Sequence, residues 1–454
     1  MKTWRKFAPF LVGFVLSVTI SRTADADSHA EYSATMLPQL DPTDSPNKFT
    51  YTHANAINNA GIVVGETFDS GFVWSSTDGG ALTGFAAALG LTNGLGIADV
   101  NDHGAMVGAG CIEFFNCRAF HVDSVGAATL LPTNEDYFGV LATAVNDAGL
   151  VVGGVSLGDR FNPSSRAVYW ADGALFEIPT AGDVARAAAV NDNGVVVVNQ
   201  NPAPNTPFAP FRWTVDGGFE ALEIPSLEHG SHGTAINNAG TVVGQVFFDV
   251  TEPRASYWDD AGALHLLEGI AAEADIFDTA VYALNDEEIM VGWEMTATAE
   301  RALVWFNGEP HDLQELTVDL PDGIELRQAV GINEAGQIVV AARDTSLAMP
   351  QGVTVLLTPS DVSGGGSTGG TSGTTSSGET TSSGEATSSG ETTSASAADG
   401  SGTSGSSMGS ATDSSGTGVN AASGASGCGC DTEPDRPFST VFLIGALLLL
   451  RRRA

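Results

Sequence analysis

One motif recurs seven times along this chain: small residues, an aliphatic, Asn, two residues, Gly, then an aliphatic run. Its fullest copy is Ala56-Ile57-Asn58-Asn59-Ala60-Gly61-Ile62-Val63-Val64-Gly65, and the key asparagines are Asn58, Asn101, Asn146, Asn191, Asn237, Asn285 and Asn333. Their spacings are 43, 45, 45, 46, 48 and 48 residues. A period of this length filled with short β runs means that each repeat buries its apolar face only against its neighbours, which is the signature of propeller blades.

Each unit reads as four strands. The first carries small residues, as in Ala187-Ala188-Ala189-Val190. The second is the Val-Val-Gly run, reached through an Asn-x-x-Gly turn in which Asn bonds its own backbone and Gly takes the left-handed position. The third ends at Trp74, Trp170, Trp213, Trp258 or Trp305, with Val122 and Val355 in the other two units. Five aromatics at one structural position read as core between blades, not as sugar-stacking platforms. The fourth follows an Asp-Gly or Asn-Gly turn such as Asp172-Gly173. The last unit lacks a fourth strand, whereas Tyr32–Leu40 is a fourth strand without a unit of its own. The expectation is an all-β chain: a propeller of seven four-stranded blades, closed by its N-terminal strand, spanning residues 27–361. Closure also removes an exposed edge.

The repeats resemble the extracellular HAF-repeat family, whose units pair this turn with a His-Ala-Phe-x-Trp strand. The nearest match here is Arg118-Ala119-Phe120, with Arg-Ala again at 166–167, 254–255 and 301–302. Glu288 replaces the turn glycine in the sixth unit, and Val198 and Ala341 stand where the glycine after the second strand is expected. Those departures predict local distortion. The resemblance implies fold and location and brings no reaction with it.

Both ends read as addresses. Residues 1–26 form a signal peptide, with Lys2, Arg5 and Lys6, an apolar stretch over Phe7–Ile20, and Ala24-Asp25-Ala26 as a cleavage pattern. Residues 362–427 are nearly all Gly, Ser, Thr and Ala, a composition that cannot bury enough apolar surface to order itself. Residues 428–454 follow: Cys428-Gly429-Cys430, the short apolar helix Phe438–Leu450, and three arginines. Thirteen helical residues span about 20 Å, short of a hydrocarbon core of roughly 30 Å. This tail resembles the MYXO-CTERM sorting signal, which implies cleavage by a membrane-embedded sorting protease and cell-surface or outer-membrane display. Cys428 and Cys430 are then the lipidation or sorting residues, and the chain meets the membrane through its tail or a lipid.

Charge excludes one class of partner. The chain carries 54 acidic and 18 basic residues, a net charge of -36, and between Asp27 and Asp361 the count is 45 against 10. Nucleic-acid binding needs a cationic surface, so the partner expected is an extracellular polysaccharide or protein. No nucleotide, zinc or nucleophile motif is present.

The turns on one face are short and alike, and the loops on the other vary, which places a site there. Phe114, Phe115, Tyr137, Phe138 and Phe161 are the candidates for ligand contact. Glu135, Asp136, Asp275 and Asp278 are the candidates for Ca2+, and loop carboxylates could instead do acid–base work on sugars. His229 and His232 beside Glu228 lack an evident third metal ligand. Cys111 and Cys117, facing each other across a hairpin in an exported protein, are expected to be bonded. The leading expectation is a non-enzymatic surface-binding or adhesion module. A carbohydrate hydrolase or lyase and a structural surface-layer component are the alternatives.

Overall fold

A computed structural model describes residues 31–40 and 52–360, except 68–69, 114–115, 160–161, 204–205, 226–228, 249–252 and 348–349. The expected signal peptide, the linker and the sorting tail with Cys428 and Cys430 lie outside the described residues, as do Phe114, Phe115 and Phe161. Among the described residues no helix is long and apolar enough to cross a membrane.

The fold is all-β, a β-propeller. Its strands form five separate four-stranded antiparallel sheets and one eight-stranded sheet. The eight-stranded sheet consists of two antiparallel halves joined by a single parallel pairing, Gly139 with Cys117. In each unit the strand before the Asn turn is innermost. These strands are Thr52–Ile57, Asn93–Val100, Gly139–Val145, Ala185–Val190, Ser231–Ile236, Ile276–Leu284 and Ile324–Ile332. Each packs against the next in sequence, and Ile324–Ile332 packs back on Thr52–Ile57, so the ring closes. The N-terminal strand Tyr32–Met36 pairs antiparallel with Gln351–Pro359, from Tyr32 opposite Pro359 to Met36 opposite Val355, and so completes the last sheet.

The core lies between neighbouring units. Val243 and Ala255 of one unit, for example, pack with Leu267, Val281, Leu303 and Trp305. Each buried Val or Leu contributes about 2 kcal/mol. The five strand-end tryptophans are all buried. Three of them donate their indole N–H to a carbonyl that follows the preceding unit's fourth strand: Trp170 to Pro132, Trp258 to Glu223 and Trp305 to Glu268. Tryptophan here fills the gap between sheets and also ties one to the next.

A bulge recurs in every inner strand. The ladder slips by one residue at Asn55, Ala98, Thr143, Ala188, Thr234, Tyr282 and Val330. Next to it, second-strand glycine permits a close approach. An added Cβ at Gly65, Gly108, Gly153, Gly244 or Gly292 would lie 2.0–2.1 Å from an inner-strand carbonyl. Val198 occupies this place in the fourth unit. In the seventh the register puts Val340 there, not Ala341, because Val340 pairs with Ala329 as Gly65 pairs with Ala54. That unit also has a second slip, between Leu326 and Gln328.

The distortion expected at Glu288 does not occur. Its backbone adopts φ 61°, beside 74° for Gly61 and 73° for Gly194, and its N–H still donates to the Asn285 carbonyl. The departure from glycine is absorbed as strain at one residue, not as a change of turn.

Candidate functional site

The two faces of the ring are built differently. On the tight face, each turn asparagine uses both ends of its amide. In the first unit Asn58 Oδ1 accepts the N–H of Ile62 at 2.9 Å, and Nδ2 donates to the carbonyl of Asn101 at 2.9 Å. The same link runs from Asn101 to Asn146, Asn191, Asn237, Asn285 and Asn333, and Asn333 donates back to the Asn58 carbonyl at 3.0 Å. The following column makes a second closed ring. The N–H of Asn59 donates to Asp102, Asp102 to Asp147, Asp147 to Asp192, Asp192 to Asn238, Asn238 to Asp286, Asp286 to Glu334, and Glu334 to Asn59. These turns line a cavity of about 160 Å3. Burial first, and then the charges of Asp286, Glu287 and Asp102, hold the Glu334 carboxyl above its ordinary range.

The Asn-Asp pairs thus serve turns and links between units. Among the described residues no group of three or more His, Cys, Asp or Glu is placed to hold a metal. Glu135, Asp136 and Asp275 are exposed, and Asp278 is half-buried and accepts from Gln245 Nε2 at 2.7 Å.

Towards the loop-rich face, the inner strands present a different column, five residues before each turn asparagine: His53, Gly96, Leu141, Arg186, His232, Ala280 and Gln328. Opposite them on the second strands stand Glu66, Ala109, Gly154, Asn199, Gln245, Trp293 and Ala341. Large and small side chains complement each other from unit to unit. An added Cβ at Gly96 would lie 2.5 Å from a Glu66 carboxylate oxygen, and one at Gly154 would lie 3.7 Å from Arg186 Cγ and Nε.

Polar groups here also cap the free edges of inner strands, whose backbone would otherwise go unpaired. Asn199 holds both the N–H and the carbonyl of Gly233, each at 2.8 Å. Asn55 caps the Ile97 carbonyl, Thr143 that of Ala187, and Thr234 that of Val281.

Enclosure sets the electrostatics. Glu66, Asp99, Arg186, His232 and Tyr282 retain accessible surface yet are strongly desolvated, as expected for groups facing a narrow channel. Burial pushes the Glu66 carboxyl up to about 7. Asp99 rises to about 6, burial outweighing the N–H groups of Val145 and Val100 that it accepts. Burial drives His53 and His232 down to about 4, so both rings are neutral near pH 7. Tyr282 is held well above its ordinary value, by burial first and then by Asp278 among the nearby charges. Glu300 accepts from Arg327 and from Gln328 beside it.

Of the ligand candidates, Tyr137 proves to be core. Only 5% of its surface is accessible, it packs with Val140 and Val155, and its hydroxyl donates to Glu177. Burial, and then Glu177, pushes it up to about 12. Its ring offers no open face to a ligand. Phe138 is half-buried, its backbone N–H bonded to Ser156. Cys111 and Cys117 form a disulfide across their hairpin. Glu66, Arg186, Tyr282 and Gln328 were not singled out by the motifs. Aligning the repeats on their asparagines exposes Arg186 and Gln328, since their column is polar in four units while the position after it is small or aliphatic in all seven.

No family model matches the sequence, and no curated protein matches it. Among solved structures, the chain is similar to virginiamycin B lyase from Staphylococcus aureus, at 13% identity over 73% of this chain and 99% of that one, with TM-score 0.45. YCF48 bound to D1 peptide is similar at 10% identity over 74% and 99%, TM-score 0.45. A gluconolactonase from Xanthomonas campestris is similar at 12% over 68% and 86%, TM-score 0.34. Likeness at this level bears on neither substrate nor reaction.

Proposed function

We propose that this protein is an exported, surface-attached seven-bladed propeller that binds a polysaccharide or protein at the loop-rich mouth of its channel without transforming it. The observation that carries the binding site is the contrast between faces: at one height above uniform turns, desolvated polar groups from different units converge on the ring axis. Two closed circuits of seven hydrogen bonds support the blade count, with the eight-stranded sheet taken as two blades. The HAF-like turns, the cleavage pattern before Asp27 and the MYXO-CTERM-like tail support export and display.

The test incubates the full chain with polysaccharides and extracellular proteins, with and without calcium, and records both retention and released fragments. Retention without fragments, weakened by Gln328→Ala, is the expected result. Retention unaffected by Gln328→Ala moves the site elsewhere. Fragment release favours a second reading, a carbohydrate-active enzyme. One observation motivates that reading: the charges of Asp278 and Glu300 both bear on the Tyr282 phenol. Surface attachment predicts that Cys428→Ser with Cys430→Ser moves the protein from the membrane fraction to the medium.

A further inference from the structure

Of the described arginines, Arg186 and Arg343 make no hydrogen bond and no ion pair, and of these two only Arg186 lies on an inner strand. Arg118, Arg166, Arg212 and Arg254 donate to carbonyl oxygens, and Arg301 and Arg327 to carboxylates. Arg186 makes no hydrogen bond and no ion pair among the described residues, and burial alone bears on its charge. Its side chain projects from the inner strand Ala185–Val190 and runs past Gly154 of the preceding unit, at van der Waals distance from where a Cβ would sit. A guanidinium does not escape desolvation by losing its proton. A desolvated cation without a counter-charge is unfavourable even where it keeps some accessible surface, and in a body this acidic a carboxylate partner would be easy to supply.

The surroundings narrow what would satisfy it. His232, at the same height in the next unit, is neutral near pH 7, and Asn199, opposite Arg186, is fully engaged with Gly233. Gln328, in the same column, has a buried side-chain oxygen with no donor. The column itself offers one fork-shaped cation among neutral hydrogen-bonding groups, while the acids Glu66 and Asp99 face the channel from the first and second units. This suits a planar monoanion carrying hydroxyls better than a phosphate dianion.

We propose that the channel takes the carboxylate of a sugar acid, with Arg186 as its bidentate anchor. This rests on the reading of the channel mouth as the binding site and adds the chemical class of the ligand.

Calorimetry on the full chain tests it, with glucuronate, glucose and sulfate as probes. Glucuronate is expected to bind at least tenfold more tightly than glucose or sulfate. Arg186→Gln should remove that preference and leave any glucose binding unchanged, and Arg186→Lys should keep part of it. Without ligand, the melting temperature of Arg186→Gln should equal or exceed that of the parent, because an uncompensated charge is gone. Equal binding of glucuronate and glucose, preference for sulfate, or undiminished glucuronate binding by Arg186→Gln overturns the assignment. So does a lowered melting temperature in that variant, which would reveal a structural ion pair. Glucose bound without preference, yet weakened by Gln328→Ala, leaves the channel-mouth site standing while this inference falls. If neither sugar is bound and polysaccharide retention ignores Gln328→Ala, both fall.

Discussion

The tight face and the loop-rich face of the ring use the same residue types to opposite ends. On the tight face, Asn and Asp recur at fixed columns, and the two links that close the ring have a counterpart in every unit. On the loop-rich face, the column five residues earlier runs through His, Gly, Leu, Arg, His, Ala and Gln, and no two neighbouring units are alike. Repetition holds the ring closed, because each unit solves the same problem of attachment to its neighbour. Variation is affordable only where attachment is already secured, and there it can serve recognition.

The largest effect expected from breaking this contrast is Asn191→Ala. It removes two bonds, leaving the part-buried Val195 N–H without a partner and the buried Asn237 carbonyl with the Gly240 N–H alone. A loss of about 3 kcal/mol is expected, read as a lower urea midpoint. The exposed loop substitution Glu135→Ala should stay within about 0.5 kcal/mol. Equal losses at the two sites would erase the distinction between the faces.

A smaller effect sharpens the comparison through pH. Glu66 has its folded pKa raised from 4.5 to about 7, so across that window the folded chain keeps a proton that the unfolded chain releases. The contribution of Glu66 to stability is therefore greatest in acid, falls as pH rises through the window and is flat above it. His53 and His232 act oppositely: their folded values fall from 6.5 to about 4, so stability is lost as pH drops from 6.5 towards 4. Glu66→Gln should gain about 2 kcal/mol at pH 8, discounted for its partial exposure, and nothing at pH 4. Denaturation midpoints at the two pH values check this. A gain at both would mean that the carboxylate is not desolvated.

The smallest effect returns to the tight face. Glu288→Gly relieves the left-handed strain but forfeits the bond from Thr241 Oγ1, and a net gain of about 1 kcal/mol is expected in thermal unfolding. A loss would mean that the Thr241 link outweighs the strain.

Much of the scaffold was legible because its signals are local. The Asn-x-x-Gly turn, the strand-end tryptophans and the unpaired ends of the repeat array could be read from order and spacing. The inter-unit role of asparagine could not. Turn chemistry already explained Asn58, and nothing in its own unit shows that Nδ2 reaches the Asn101 carbonyl. Tyr137 was misplaced for a related reason: loop position suggested exposure, but its ring fills the space beside Val140. The channel column escaped notice because its meaning lies in comparison between units, not in any one of them.

Ring closure also has a mechanical consequence. Because Tyr32–Met36 takes the outer position, the chain leaves the folded body from Gln351–Pro359, a strand flanked on both sides. A pull applied at Ser360 along that strand must shear two ladders at once, where an edge strand would peel away bond by bond. The order of strands in one sheet thus fixes how the body resists tension at its point of exit, and Tyr32–Met36 becomes the clamp that force must defeat.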